Sequence, residues 1–278
     1  MKHLYDEYSQ IASELVTKHY STSFYAGVNC LGKELRADVH NIYGFVRLAD
    51  EIVDSFHDFN KEELFADFQK STYDAIEQGI SLNPILNSFQ YSVNRFNIDI
   101  QLVDQFLHSM EMDLNPVEYT TEKYDEYILG SAEVVGLMCL KIFVQGDQAE
   151  YEKLKPYAMI LGSAFQKINF LRDIKDDINH LGRVYFPNID GDKFNDADKK
   201  EIEQEIQKEF DEALIGIKML PKPARFGVYL SYSYYEQLLQ KIKQKSAEDL
   251  LKERVRIPDF RKFLILQKAY LKKSFNLL

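Results

Sequence analysis

The sequence predicts an all-α chain, and three observations carry that prediction. Apolar residues recur at three- and four-residue steps along nearly the whole length. No pair of alternating segments flanks a hairpin-type turn. Helix punctuators are sparse, with 12 Gly and 7 Pro among 278 residues.

The elements follow in order. Leu4, Tyr8, Ile11, Leu15 and Val16 trace one stripe, expected to be the buried face of a first helix. Val39, Ile42, Tyr43, Phe45, Val46, Leu48, Ala49, Ile52 and Val53 are denser, so that helix should be covered on more than one side. Further helical patterns span 62–78, 84–93, 99–113, 122–145, 150–179, 196–218, 222–244 and 246–276. Prolines 84, 116, 156, 187, 221, 223 and 258 fall near the expected boundaries, where a missing N–H costs little. No linker, low-complexity tract or solenoid repeat divides the chain, so residues 1–278 read as a single domain.

Composition narrows the function. A formal charge of −10 argues against nucleic acid as a partner, because phosphate binding needs clustered Lys and Arg. Cys30 and Cys139 stand in no metal or redox spacing and are expected to be reduced core residues. The amino terminus lacks the apolar core of a signal peptide, and no run reaches the roughly 20 apolar residues that span a bilayer. A cytoplasmic protein is expected. There is no Trp, but 18 Tyr and 19 Phe supply bulky lining.

Two acidic segments interrupt this pattern. Residues 47–54 read RLADEIVD, with Asp50 and Asp54 one helical turn apart and Arg47 a turn earlier. Residues 166–177 read QKINFLRDIKDD, in which Asn169, Asp173 and Asp177 share one face while Ile168, Leu171 and Ile174 point elsewhere. A single pair of acids at this spacing is usually a solvated face, worth about 0–1 kcal/mol with a neighbouring Arg. Repetition inside two apolar helices weighs against that reading. Like charges at i,i+4 destabilise a helix, and a buried carboxylate cluster is costly unless a cation neutralises it. Hard oxygen donors with few His and no Cys nearby suit Mg²⁺ or Mn²⁺. Arg47 and Arg172 stand ready to pair with diphosphate oxygens.

At these residues the chain resembles the squalene/phytoene synthase family. The segments Asp50-Glu-Ile-Val-Asp54 and NFLRDIKDD at 169–177 match its two Asp-rich motifs. The resemblance extends through YSTSF at 20–24, IYGFVRLADEIVD at 42–54, SAEVVGLM at 131–138 and GRVYFP at 182–187. It implies an isoprenoid-synthase-type helical bundle with a central cavity. It also implies head-to-head condensation of two prenyl diphosphates through a cyclopropyl diphosphate.

Carried over by position, Asp50, Asp54, Asn169 and Asp173 are expected metal ligands, with Asp177 a ligand or its neighbour. The four aspartates form the catalytic set. Arg47, Arg172, Gln166 and Arg183 are expected on diphosphate, Arg183 by closing over it. Tyr20, Ser21, Thr22, Ser23, Tyr43 and Tyr234 are expected to touch substrate. One departure stands out: YILGSAEVVG places Leu129 where many members have Tyr and Glu133 where they have Gly. Glu133 reads either as a salt-bridged structural residue or as an added polar group near the cavity.

The favoured reading is phytoene formation from two geranylgeranyl diphosphates in carotenoid synthesis, without NADPH. The alternative is a squalene or dehydrosqualene synthase using two farnesyl diphosphates. A non-catalytic helical assembly factor of the same fold is disfavoured because the acids, Asn169 and both arginines are all present. Head-to-tail elongators and terpene cyclases usually show DDxxD, which neither segment has. The apolar substrates suggest peripheral membrane association, and the oligomeric state is left open.

Overall fold

The computed structural model describes residues 1–114, 119–178, 183–187 and 194–275. Its elements are α1 (Lys2–Tyr20), α2 (Thr22–Asn29), α3 (Lys33–Ser55), α4 (Lys61–Gln78), α5 (Pro84–Phe96), α6 (Ile100–Met112), α7 (Thr121–Ile128), a π-helical turn (Leu129–Glu133), α8 (Val134–Phe143), α9 (Gln148–Asp176), α10 (Asp196–Met219), α11 (Lys222–Lys243), α12 (Ala247–Lys252) and α13 (Asp259–Ser274). No strand occurs among the described residues, so the all-α expectation is met.

Helix starts follow local chemistry. Ser21, Asn60, Asn83, Asp99, Thr120, Asp147, Asn195 and Ser246 each cap the following helix by accepting a backbone N–H. Pro84 and Pro223 occupy first-turn positions, where no N–H is needed. Three expectations change. The pattern over 246–276 breaks between α12 and α13, with Pro258 as the N-cap of α13. The pattern over 122–145 contains the π turn, an extra residue that α-periodicity cannot register. Pro156 lies inside the 29-residue α9 instead of at its edge, while Pro116 lies outside the described residues.

The largest correction concerns α1. Leu4, Tyr8, Ile11 and Leu15 are 48% to 58% exposed, and the buried face is Ser9, Ser13 and Thr17. Small side chains allow close approach: a Cβ on Gly44 of α3 would come within 2.8 Å of Ser13 Oγ. Their hydroxyls are paired, Ser13 with Ser88 at 2.7 Å, Ser9 with Asn87 at 3.0 Å and Thr17 with His40 at 3.0 Å. Polar satisfaction within a tight seam therefore outweighs hydropathy in deciding which face turns inward.

Two apolar clusters fill the interior. One gathers around Phe45, whose ring stacks on Phe89 at 3.8 Å and meets Phe106 at 5.2 Å. The other is built from α9, α10 and α11, with Ile168, Leu171, Phe210, Leu230 and Ile242 all but fully buried. A cavity of about 1230 Å³ is lined by residues of both clusters. Cys30 and Cys139 are free thiols, as expected, but only half-buried, and Cys139 faces the cavity.

Candidate active site

Helices α3 and α9 build the polar end of the cavity. On α3, Phe45, Ile52 and Val53 are buried in the core, which turns Arg47, Asp50 and Asp54 to the cavity. On α9, Ile168, Leu171 and Ile174 do the same for Gln166, Asn169, Arg172 and Asp173, and Asp177 follows as the C-cap residue. The spacing read from the sequence thus brings the two acidic segments to one cavity. Tyr20, Ser21, Thr22, Ser23, Tyr43 and Tyr234 line it too.

Three of the four aspartates hold arginine partners. Arg47 pairs with Asp50 and Glu51, and its guanidinium lies 4.3 Å from the centre of the Tyr20 ring. Arg172 donates to Asp173 from Nε at 3.0 Å and from Nη2 at 2.5 Å, and Arg254 Nε approaches the same carboxylate at 2.6 Å. Arg183 donates to Asp54 Oδ1 at 2.9 Å, to the Asp113 carbonyl at 2.7 Å and to the Tyr185 hydroxyl at 3.1 Å. Asp177 has no ion pair among the described residues. Arg47 Nε is buried without a hydrogen-bond partner, a donor left over for a ligand.

Three carboxyls at this end of the cavity are held above the usual carboxylate range. Burial and the neighbouring Asp54 push the Asp50 carboxyl up to about 6. Burial and Asp173 push Asp177 up to about 8. Asp113, which accepts from Tyr127 at 2.7 Å and lies 3.2 Å from Arg183, is pushed up to about 7, chiefly by burial. In all three the largest cause is burial, which disfavours the charged carboxylate, and the neighbouring acids add to it. The donor set of carboxylates and one amide fits a hard divalent cation in kind and charge. As placed, no group of three Asp, Glu, His or Cys converges on one ion position among the described residues, and Asp50, Asp173 and Asp54 are instead each paired with an arginine.

Other side chains take more specific places. Ser21 caps α2 by accepting from Phe24 N at 3.2 Å, so part of its role is structural. Tyr43 stacks on Phe24 at 4.7 Å, and burial pushes its hydroxyl up to about 12, keeping it protonated. Asn169 donates to Gln166 at 3.3 Å and accepts from Tyr235 at 3.2 Å. Tyr234 lines the cavity, but its hydroxyl reaches the Lys262 carbonyl at 3.3 Å. Tyr235, stacked on Phe165 at 3.9 Å, lines the cavity beside it and donates to Asn169 of the second acidic segment; the sequence analysis did not single it out.

Asp113, Tyr127, Arg254 and Glu51 were missed as well. Asp113 and Arg254 fall outside the regular helices, where no periodicity marks a direction. Ser131, in the π turn, presents a buried hydroxyl without a partner at the cavity wall. Glu133 ends the same turn but is not part of the lining; it faces Glu209, Lys167 and Asp125. Lys167 bridges Glu205 and Glu209, so Glu133 belongs to a polar cluster behind the wall. Of the segment GRVYFP, Gly182 lies outside the described residues.

Comparison with known proteins adds the following. The family model for squalene/phytoene synthase matches residues 17–261. Phytoene synthase 3, chloroplastic, of Zea mays is 27% identical over 92% of this chain, which spans 64% of that protein's length. Phytoene synthase of Arthrospira platensis is 25% identical, covering 92% of this chain and 91% of its own. A crystal structure of a dehydrosqualene synthase in complex with ligand superposes with a TM-score of 0.82 at 20% identity, covering 96% of this chain and 98% of that one. Squalene synthase HpnC from Alicyclobacillus acidocaldarius gives 0.72 at 19% identity, over 85% and 93%. These two share the fold.

Proposed function

Because the chain belongs to the squalene/phytoene synthase family, we propose that it joins two prenyl diphosphates head to head through a cyclopropyl diphosphate. The favoured substrate is geranylgeranyl diphosphate and the product phytoene. One observation carries the reading: two carboxylate segments on α3 and α9, interleaved with arginines, face one large apolar cavity. Its volume of about 1230 Å³ exceeds the roughly 300–1,000 Å³ of ordinary small-molecule pockets, in keeping with two long chains. Relatives of 25–27% identity named phytoene synthase support the C20 choice.

The chemistry requires a diphosphate to leave with both electrons of a C1–O bond. Arg47, Arg172 and Arg254 supply guanidinium donors at the polar end, where in the free protein they are occupied by Asp50, Glu51 and Asp173. A diphosphate would exchange with those carboxylates for the same donors. Asp50, Asp54, Asn169, Asp173 and Asp177 would hold Mg²⁺ or Mn²⁺, whose charge would offset that of the departing diphosphate. Tyr43, Phe24, Phe165 and Tyr235 place π faces along the adjoining wall, suited to shielding a carbocation from water. Gln166, which accepts from Asn169 at 3.3 Å, also lines the cavity and would contact the diphosphate.

The test is product identity. With Mg²⁺ and geranylgeranyl diphosphate, and without NADPH, the purified protein should release a C40 hydrocarbon. A C30 hydrocarbon formed only from farnesyl diphosphate would transfer the assignment to a dehydrosqualene-type synthase.

A further inference from the structure

Helix α13 is built the wrong way round for a helix that ends at water. It docks on α11 through Ala269, with Ile265 and Leu266 beside it. On the side away from the protein, Phe260, Phe263, Leu264, Leu271 and, just past its end, Phe275 are 44% to 73% exposed. At about 100° per residue, Phe260, Leu264 and Leu271 lie within roughly 40° of one line, opposite Ala269. The outermost surface of this helix is therefore its apolar face.

The charge around that face is equally one-sided. Between 260 and 275 there are five basic residues and no acidic one, in a chain whose net charge is −10. Lys262, Lys272 and Lys273 turn inward, to Thr22 at 3.0 Å, to the Tyr229 hydroxyl at 2.8 Å and over the Phe226 ring at 4.5 Å. Arg261 and Lys268 stay exposed on the flank of the apolar face. An apolar face with a cationic flank suits an anionic bilayer surface. No helix among the described residues is long and apolar enough to cross a membrane.

We propose that α13 lies in the interfacial plane of an anionic membrane, its Phe260–Phe263–Leu264–Leu271 face among the acyl chains and Arg261 and Lys268 at the headgroups. The location has a consequence for traffic. Ile257 and Pro258, just ahead of α13, line the cavity, as does Lys262 in its first turn. Docking would set that wall of the cavity against lipid, the solvent in which prenyl chains and their hydrocarbon product dissolve. The purpose rests on the proposed function; the docking itself does not.

Flotation of the full chain with phosphatidylcholine vesicles, with and without one-third phosphatidylglycerol, tests it. The protein should rise with the anionic vesicles and lose binding as salt increases. Phe263→Glu with Leu271→Glu should reduce the bound fraction by about tenfold or more. Arg261→Gln and Lys268→Gln should weaken it roughly fivefold each. Leu4→Glu with Tyr8→Glu, the same charge change on α1, should float like the wild type. Wild-type protein that stays at the bottom, or a doubly acidic α13 variant that floats undiminished, overturns the proposal. So does a dimer in sedimentation velocity that the α13 variant abolishes, since the face would then be covered by a second copy. Turnover of detergent-dispersed substrate by the α13 variant separates the two claims: it should be unchanged, and its absence in the wild type would count against the proposed chemistry instead.

Discussion

Arg183 Nη1 donates to Asp54 Oδ1 at 2.9 Å, tying the segment after α9 to the first acidic helix. The same guanidinium lies 3.2 Å from Asp113 Oδ1, a carboxylate with almost no exposure. Breaking a buried pair by removing one partner typically costs about 3–5 kcal/mol, because the other charge is left uncompensated. Arg183→Met should therefore lower the unfolding free energy by at most that amount, and by less where Asp113, already pushed up to about 7, takes up a proton; urea titration at pH 8 measures it. Adding Asp113→Asn should restore most of it. If the double variant is no more stable than the single one, the coupling between these residues is not what holds the segment.

Asp50→Asn and Asp173→Asn should each nearly abolish turnover while leaving helical circular dichroism intact. The Asp50 change also removes repulsion from Asp54, so its melting temperature should hold or rise. Full activity in both variants would remove the acidic segments from the mechanism.

The inverted α1 helix makes a prediction against hydropathy. Leu4→Gln and Ile11→Gln should change stability by no more than about 0.5 kcal/mol, as exposed sites usually do. Ser13→Leu should cost about 1–3 kcal/mol or more, since it overpacks the contact with Gly44 and strands the Ser88 hydroxyl. Denaturant midpoints for the three variants decide it.

Stability should respond to pH in two opposite ways. Burial pushes the Glu133 carboxyl up to about 7 from 4.5, so the folded state keeps its proton to higher pH than the unfolded chain. Its stabilising contribution is complete below about pH 4.5 and is lost as pH rises through 7. Glu133→Gln should gain on the wild type over that interval by about 1–2 kcal/mol, allowing for partial exposure. Burial pushes His40 down to about 4 from 6.5, so its contribution is present above about pH 6.5 and fades as pH falls through 4. His40→Gln should flatten the acid limb. Unfolding curves for the two variants from pH 4 to 8 check both slopes.

What the sequence made legible was whatever helical spacing encodes. Asp50, Asp54, Asn169 and Asp173 could be placed because i,i+4 residues share a face and apolar neighbours define the opposite one. The all-α class followed from the same periodicity. The buried face of α1 was not legible, because Ser9, Ser13 and Thr17 act through close approach and paired hydroxyls, which hydropathy does not register. Asp113 meets Arg183 and Arg254 meets Asp173 from positions outside the regular helices, where direction depends on the tertiary path. Tyr235 differs from Tyr234 by 100° of helix rotation, and only packing on Phe165 selects it.

Stoichiometry tests the central claim most directly. Head-to-head joining of two prenyl diphosphates through a cyclopropyl diphosphate releases diphosphate twice for every hydrocarbon formed. Rapid-quench measurement of released diphosphate against product should give a limiting ratio of two, with a single diphosphate released per cyclopropyl intermediate early in the reaction. A ratio of one at completion, with a linear prenyl diphosphate as the product and no cyclopropyl diphosphate formed, would contradict the account and identify a head-to-tail elongation instead.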